Sequence, residues 1–197
     1  MKLSNKKEYS IFQKILLNPI FLFVLVASSM WSVWDIAKSE SSEELLMKKA
    51  NELAQKFIIT DGHIDVPWRL HKGGYEDLSV RTPGGDFDYV RATEGGLDVP
   101  FMSIYVPATY QVTGGAKAMA EELIGMVERI TIDHPDKFEI AYNVSDADRI
   151  VSEGKIALPM GMENGAPIEG DLKNIEYFHS KGISYITLTH SKDNAIC

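Results

Sequence analysis

From residue 41 onward, short apolar runs alternate with segments of helical periodicity, and this alternation constrains the fold most strongly. The runs predict strands over residues 57–59, 101–106, 156–161 and 183–188. Because parallel strands are joined by long crossovers, usually helices, the pattern predicts an α/β protein with a parallel sheet. An open doubly wound sheet and a (β/α)8 TIM-type barrel both fit. Residues 41–197 are fewer than the roughly 250 that a complete barrel needs, so we expect an open sheet or half a barrel.

The segments between the apolar runs predict helices and one long loop. Ser41 and Glu44 have the spacing of a capping box, which predicts a helix over residues 41–57. Further elements are expected as helices over residues 115–133, 145–154 and 171–181 and as a short strand over residues 138–142.

Two finer expectations concern the long loop and the last helix. Residues 71–100 are rich in Gly, Asp and Arg and predict an excursion loop with a small apolar element around residues 87–90. In the helix over residues 171–181, helical periodicity predicts that Leu172, Ile175 and Phe178 face inward.

The first forty residues differ in composition from the rest. Four lysines (Lys2, Lys6, Lys7 and Lys14) precede a mostly apolar run over residues 15–34 that contains the small residues Ala27-Ser28-Ser29. This order is typical of a secretory signal, and the run is also long enough to span a bilayer. We therefore expect residues 1–40 to be a signal peptide or membrane anchor, with a buried N-terminal helix as the alternative. The protein would then be exported, either periplasmic or extracellular, or membrane-anchored through residues 15–34.

Charge and cysteine content exclude several classes of partner and site. The formal net charge is -8, and no Lys/Arg-rich stripe follows the N-terminus, so no nucleic-acid partner is expected. Cys197 is the single cysteine, which excludes an intrachain disulfide and a cysteine-based zinc finger. Any metal site must use His, Asp and Glu side chains.

The segment Asp61-Gly62-His63-Ile64-Asp65 directly follows the first predicted strand. Residues two apart on a strand point to the same side, so His63 and Asp65 can present an imidazole and a carboxylate to one metal ion. The bare His-x-Asp pattern is also compatible with a solvated loop. Its position at the C-terminal end of a strand, where α/β active sites gather, favours the metal site.

Two further candidates occupy the ends of later strands. Glu163 follows the third predicted strand, and its two carboxylate oxygens could each take one cation; the alternative is a helix-capping acid. His190 follows the fourth predicted strand, and the alternative for it is a loop histidine bonded to backbone. Because parallel strands present their C-terminal ends at one edge, these residues are expected to meet.

The remaining aromatic and histidine residues carry weaker signals. Trp68 and Tyr105 lie near strand ends and could line a pocket, although aromatic core packing is an equal alternative. His71 and His134 fall in predicted loops and His179 in a predicted helix, so these three are expected to be structural or solvated.

Four motifs resemble those of the membrane dipeptidase (renal dipeptidase) family of zinc peptidases. Residues 61–68 (DGHIDVPW) are similar to its opening motif and residues 95–107 (GGLDVPFMSIYVP) to its second strand. Residues 161–165 (GMENG) and 185–191 (YITLTHS), with Asn194 after them, resemble its third and fourth strand motifs. The resemblance extends over residues 44–197 in matching order.

The resemblance implies a (β/α)8 barrel that holds two zinc ions and hydrolyses dipeptides. By this match His63 and Asp65 bind one zinc, and Glu163 bridges both. His190 contacts the substrate and helps to hold charge on the scissile carbonyl oxygen. Independently of the resemblance, the positions of Trp68 and Tyr105 near strand ends make them candidate substrate contacts. Family members often tolerate a D-residue on the C-terminal side, and some open β-lactam rings.

The chain departs from the family pattern beyond the fourth strand. Family barrels carry two further zinc-binding histidines, on the fifth and sixth strands, and a later acidic residue. Residues 41–197 are therefore expected to form the N-terminal half of such a barrel, with about four strands. Half a barrel exposes edge strands at residues 57–59 and 183–188, which favours aggregation or pairing. Partner expectations are a dipeptide substrate, a homodimer, and the membrane if the N-terminal segment is uncleaved.

Two other interpretations remain open from the sequence. Another binuclear metal-dependent amidohydrolase barrel is one, although such barrels more often open with His-x-His, where this chain has Asp65 in the second position. A membrane-tethered binding protein without catalytic activity is the other.

The missing zinc ligands lead to a first prediction. Purified residues 41–197 should show no dipeptidase turnover with added zinc, because the second zinc would keep only the bridging carboxylate. A steady-state dipeptide hydrolysis assay checks this, and robust turnover would contradict it.

Overall fold

The computed structural model describes residues 41–197. The signal-peptide or membrane-anchor prediction for residues 1–40 falls outside this range. No helix within residues 41–197 combines the length and the apolar character that crossing a membrane requires. Residues 50–197 form one compact unit, and the sheet, core and site described below all belong to it.

Helices and strands alternate along the described chain. The helices are α1 (Ser42–Ala54), α2 (Val66–Gly73), α3 (Tyr89–Gly95), α4 (Tyr110–Thr113), α5 (Ala116–Asp133), α6 (Val144–Ser152) and α7 (Lys173–Ser180), with a 3-10 helix at Ala166–Ile168. The strands are β1 (Thr60–Ile64), β2 (Val99–Tyr105), β3 (Phe138–Glu139), β4 (Ile156–Ala157), β5 (Met160–Glu163) and β6 (Ile183–Thr187). The predicted capping box begins α1, since the Ser41 hydroxyl accepts the Glu44 N–H while a Glu44 carboxylate oxygen accepts the Ser41 N–H.

The main sheet is parallel throughout and has the order β1-β2-β5-β6. Strands β3 and β4 form a separate parallel pair. This is the arrangement of successive βα units in a (β/α)8 barrel, so the predicted α/β class with half-barrel topology is confirmed. Because all four strands run the same way, their C-terminal ends lie along one edge.

The two faces of the main sheet differ sharply in chemistry. Met102 and Ile104 of β2 and Met160 and Met162 of β5 are fully buried in the hydrophobic core. Helices α2 and α5 cover this face with further buried apolar side chains, among them Leu70, Leu123 and Val127. Since side chains alternate along a strand, the intervening residues of β2 and β5 point to the opposite face, where the site lies.

The first strand begins later than the apolar run predicts. Residues 57–59 are not a strand, and all three side chains are exposed. The run instead ends in a connector whose Ile59 N–H donates to the Asp98 carboxylate at 2.9 Å. The strand that enters the sheet is Thr60–Ile64, so the Asp61–His63 segment lies inside β1 rather than after it.

The predicted strand over residues 156–161 is two strands in two sheets. Ile156–Ala157 pairs with β3, whereas Met160–Glu163 pairs with β2 and β6. Pro159 lies between them; it has no N–H to donate to a ladder, and its carbonyl accepts the Met102 N–H at 2.8 Å. The proline therefore separates the two pairings.

Two expectations about helices are wrong in detail. Of the three α7-region residues expected to face inward, Phe178 is buried but Leu172 and Ile175 are exposed. Asn174 is buried instead, because its side-chain amide donates to the Ile168 carbonyl at 2.9 Å. The predicted excursion loop over residues 71–100 also contains the end of α2, where His71 lies, and the whole of α3.

Asp88 anchors the remaining loop against α3. Its fully buried carboxylate caps the helix by accepting the Arg91 N–H at 2.8 Å and also accepts the Thr82 N–H at 3.0 Å. The Arg91 guanidinium donates to the same carboxylate. Burial alone would raise the pKa of Asp88, but the backbone hydrogen bonds and the Arg91 charge outweigh it and hold the pKa below its ordinary value.

Replacing Asp88 with Asn should lower the free energy of unfolding at neutral pH by about 2 kcal/mol, because charge-assisted hydrogen bonds are lost. The folded-state pKa lies below the unfolded value, so the carboxylate stabilises the fold above pH 3.8 and this contribution is lost as the pH falls further. Urea unfolding followed by circular dichroism, at neutral pH and below pH 3.8, measures both effects. The variant should lose less stability in acid than the wild type, and equal acid sensitivity would contradict the assignment.

Candidate metal centre

His63, Asp65 and Glu163 converge at the C-terminal edge of the sheet. The His63 Nε2 atom lies 3.4 Å from Asp65 Oδ1 and 3.2 Å from Glu163 Oε2. One ligand atom from each residue falls within 4.8 Å of the others. The sequence-predicted metal ligands are thus brought together by two strands that are not neighbours, β1 and β5.

The junction between β1 and α2 positions the first two of these residues. β1 ends at Ile64, and Asp65 occupies the residue that precedes α2. The Asp65 side chain makes no capping hydrogen bond, and its exposed carboxylate lies beside the His63 ring. Pro67 in the first helical turn suits this start, since its missing N–H would have had no partner there.

Glu163 ends β5 and is the most buried of the three ligand candidates. Its side chain is 16% exposed, against 35% for His63 and 61% for Asp65. The Ser103 hydroxyl of β2 donates to Glu163 Oε2 at 3.3 Å, and Oε1 lies 3.4 Å from His190 Nε2. The two carboxylate oxygens therefore face different neighbours, one towards His63 and the other towards His190.

Trp68 and Tyr105 form an aromatic wall on the side of α2 and His190. The Tyr105 ring packs edge-on against Trp68, with centroids 5.1 Å apart, and against His190, with centroids 5.0 Å apart. Burial raises the pKa of Tyr105, and the nearby Glu163 and Asp65 charges raise it further. Of the two residues expected to line a pocket, Tyr105 thus lies beside Glu163, and Trp68 packs against Tyr105.

Tyr185 and Gly161 complete the polar face from the neighbouring strands β6 and β5. The Tyr185 hydroxyl donates to the Gly62 carbonyl at 2.9 Å and lies 3.2 Å from His63 Nδ1. The Tyr185 side chain lies so close over Gly161 that a Cβ added there would clash with its ring carbons and its hydroxyl oxygen. Burial raises the pKa of Tyr185, as do the charges of Glu163, Asp65 and Asp61, so the hydroxyl keeps its proton at neutral pH.

The donor set suits a divalent transition-metal ion. One imidazole nitrogen and two carboxylates are ligands that zinc accepts, and catalytic zinc sites commonly have three protein ligands and an open position. The Asp61 carboxylate accepts the backbone N–H of His63 at 3.0 Å within β1. The negative charge of Asp65 and Glu163 beside the His63 ring is what a bound cation would balance.

The family follows from this geometry together with a sequence match. A model of the membrane dipeptidases (peptidase family M19) matches residues 47–197. The chain belongs to the membrane dipeptidase family.

Individual dipeptidases match much of this chain at moderate identity. The chain is similar to dipeptidase ataJ of Aspergillus terreus, with 29% identity over 161 residues that cover 76% of this chain and 39% of that protein. Dipeptidase 3 of Mus musculus is 28% identical over 152 residues, covering 75% of this chain and 30% of that protein. The chain thus spans between about a third and two fifths of the length of these relatives.

Solved structures of a probable dipeptidase and of a metallopeptidase have a similar fold. The probable dipeptidase PvdM from Pseudomonas aeruginosa superposes with a TM-score of 0.65 and 26% identity, over 75% of this chain and 38% of that one. A metallopeptidase from Rhodobacter sphaeroides, liganded with a phosphinate mimic of the dipeptide L-Ala-D-Ala, gives a TM-score of 0.62 at 21% identity. This second match covers 70% of this chain and 47% of that one and supports the fold alone.

Sequence reasoning missed three residues of the candidate site, namely Ser103, Gly161 and Tyr185. Each lies on a strand at a position that belongs to the same face of the sheet as Glu163. Each also contacts a residue of a neighbouring strand: Ser103 contacts Glu163, and Tyr185 packs over Gly161. The signal in the sequence is a polar or very small residue in an otherwise apolar strand. Of the other histidines, His71 pairs with Glu122 and stacks on Trp68, and His134 pairs with Asp77.

The Asn164 side chain forms hydrogen bonds to the segments that follow β2, β5 and β6. It is fully buried in the left-handed region, with φ of 79°, and its side-chain amide donates to the Val106 carbonyl at 2.8 Å. Its side-chain oxygen accepts the Ala166 N–H and an amide N–H of Asn194, which also donates to the Leu188 carbonyl. Asn164 therefore ties the chain after β2 to the loop that carries His190.

Replacing Asn164 with Ala should lower the free energy of unfolding by about 3 kcal/mol, since buried hydrogen-bonding groups lose their partner and alanine is strained at positive φ. Asn164→Gly removes the same hydrogen bonds without that strain, so it should cost about 1 kcal/mol less. Urea unfolding compares the two variants with the wild type. An Asn164→Ala variant as stable as the wild type would contradict the role of this residue.

Proposed function

We propose that this chain supplies metal ligands and substrate contacts to a zinc-dependent dipeptidase that hydrolyses the peptide bond of dipeptides. The observation that carries the proposal is the meeting of His63, Asp65 and Glu163 at the C-terminal edge of a parallel sheet. That edge is where barrels of this class place their catalytic groups. Family membership supports a metallopeptidase, and the nitrogen and oxygen donors favour zinc.

Within the proposal, the three ligand candidates have distinct roles. His63 and Asp65 would hold one zinc ion. Glu163 would help to hold the same ion and could also reach a second one, because its two carboxylate oxygens face different neighbours. The Ser103 hydroxyl holds Glu163 in this orientation through its hydrogen bond to Oε2.

His190 and the aromatic wall are proposed to contact the dipeptide. His190 Nε2 lies beside the Glu163 carboxylate, so it can donate a hydrogen bond to the scissile carbonyl oxygen as negative charge develops there. Trp68 and Tyr105 offer ring faces and edges to a substrate side chain while Tyr105 holds the His190 ring. When bound, zinc supplies a Lewis acid that polarises the carbonyl and lowers the pKa of water.

Two further proposals concern the parts of the chain outside this site. The lysines and the apolar run of residues 1–40 support export or membrane anchoring of the protein. Within residues 41–197, no strand pairs with the outer edges of β1 and β6, which supports association with further strands; a second copy of the chain is one candidate.

Zinc binding tests the proposed ligands directly. The full chain should bind Zn²⁺ in isothermal titration, and Glu163→Gln should weaken binding at least ~10-fold because a ligand oxygen becomes an amide. His134→Gln is the matched control, since it also removes one member of a histidine–carboxylate pair, but outside the cluster. Equal affinities for Glu163→Gln and the wild type would contradict the ligand assignment.

Turnover is tested in a chimera in which residues 47–197 replace the matching part of the Aspergillus terreus dipeptidase. We expect hydrolysis of L-Ala-D-Ala, a loss of at least ~100-fold with Glu163→Gln, and no change with His134→Gln. Undiminished turnover by the Glu163→Gln chimera would refute the proposed catalytic role of this edge.

A further inference from the structure

The two ring nitrogens of His63 face different chemical surroundings. Nε2 faces the carboxylates of Asp65 and Glu163, at 3.4 and 3.2 Å. Nδ1 faces the Tyr185 hydroxyl, at 3.2 Å. A neutral imidazole carries its proton on one nitrogen and its lone pair on the other, so the partner of Nδ1 decides which atom can bind a metal.

The hydrogen bonds of Tyr185 determine the direction of its contact with His63. The hydroxyl has one proton, and it donates this proton to the Gly62 carbonyl at 2.9 Å, a group that can only accept. The hydroxyl oxygen is therefore left to accept a hydrogen bond, and His63 Nδ1–H is the donor beside it. The lone pair of the neutral ring then lies on Nε2 and points towards Asp65 and Glu163.

We infer that Tyr185 is a positioning residue that selects the Nδ1-protonated tautomer of His63 and so directs Nε2 to the metal. This inference rests on the proposed function, because it assumes that His63 binds a metal ion. Metal-binding histidines commonly donate their second N–H to a fixed acceptor, and loss of that acceptor typically weakens metal binding about 10- to 100-fold. Here the acceptor is a tyrosine hydroxyl, held in turn by a backbone carbonyl of the same strand as His63.

The position of the Tyr185 ring is itself fixed by the sheet. Register pairing places Tyr185 opposite Gly161, where the ring occupies the space of the missing side chain. On the far side of Gly161, the Phe101 ring of β2 lies 5.6 Å from the Tyr185 ring, centroid to centroid. Tyr185 therefore spans the polar face from β6 to β1 and delivers its hydroxyl to His63.

The first test compares Zn²⁺ affinities of the full chain and two tyrosine variants. Tyr185→Phe keeps the ring over Gly161 but removes the hydroxyl, and we expect zinc binding to weaken about 10- to 100-fold. Tyr177→Phe is the matched control, because it also removes a hydrogen-bonded hydroxyl, one bound to Glu121 at 2.8 Å on the outer helices. The control should bind zinc as the wild type does.

A spectroscopic measurement separates positioning from a general structural effect. In the zinc-loaded chain with ¹⁵N-labelled histidine, we expect the His63 signals, assigned by their loss in His63→Gln, to show metal bound at Nε2 and a proton on Nδ1. That proton should exchange slowly with water in the wild type and in Tyr177→Phe, and rapidly in Tyr185→Phe. Zinc bound through Nδ1 in the wild type would overturn the inference.

Gly161→Ala tests the same arrangement with the hydroxyl still present. The added methyl group requires the Tyr185 ring to shift, so zinc affinity should fall as it does in Tyr185→Phe. Equal zinc affinities of Tyr185→Phe and the wild type would refute the role of Tyr185 and leave the proposed metal site standing. A wild-type chain that binds no zinc would overturn both proposals.

Discussion

The parallel pairing of β5 with β2 on one side and β6 on the other is the constraint on which the rest of the structure depends. β5 has only four residues, yet its alternation sends Met160 and Met162 into the core and Gly161 and Glu163 to the polar face. The core residues attach the strand to the helical layer. The polar-face residues then lie at fixed heights relative to Ser103 and Tyr185 on the neighbouring strands. A change in register by one residue would move Glu163 to the apolar face, and the cluster with His63 and Asp65 would be lost.

The site concentrates negative charge where the strands end. The carboxylates of Asp65 and Glu163 both lie beside the His63 imidazole. Such an arrangement is costly without a counter-charge, because like charges at close range repel. The strand end is held by neighbouring contacts, such as those of the buried Asn164 directly after Glu163 and of the apolar layer beneath β5.

Much of this arrangement could be predicted from local sequence patterns. His63, Asp65, Glu163 and His190 were identifiable because each follows or ends an apolar run, and strand ends meet at one edge in a parallel sheet. Their roles as ligands and substrate contacts stay predictions. The start of β1 could not be predicted, because an edge strand that faces a polar site has little apolar signature, whereas the exposed run at residues 57–59 has a strong one. Ser103 and Tyr185 could not be identified from the sequence either. Their contacts depend on the register between strands, which the sequence of a single strand does not reveal.

Gly161 and Tyr185 occupy one shared volume on the polar face of the sheet. A side chain at position 161 therefore requires the ring at position 185 to shift, although the two positions are 24 residues apart in the chain. The sizes of the side chains at these two positions are therefore expected to vary together among relatives. Among relatives that keep the register of β5 and β6, a side chain at position 161 is expected only where position 185 has given up its ring. Such a relative would have to hold its first histidine by a different acceptor.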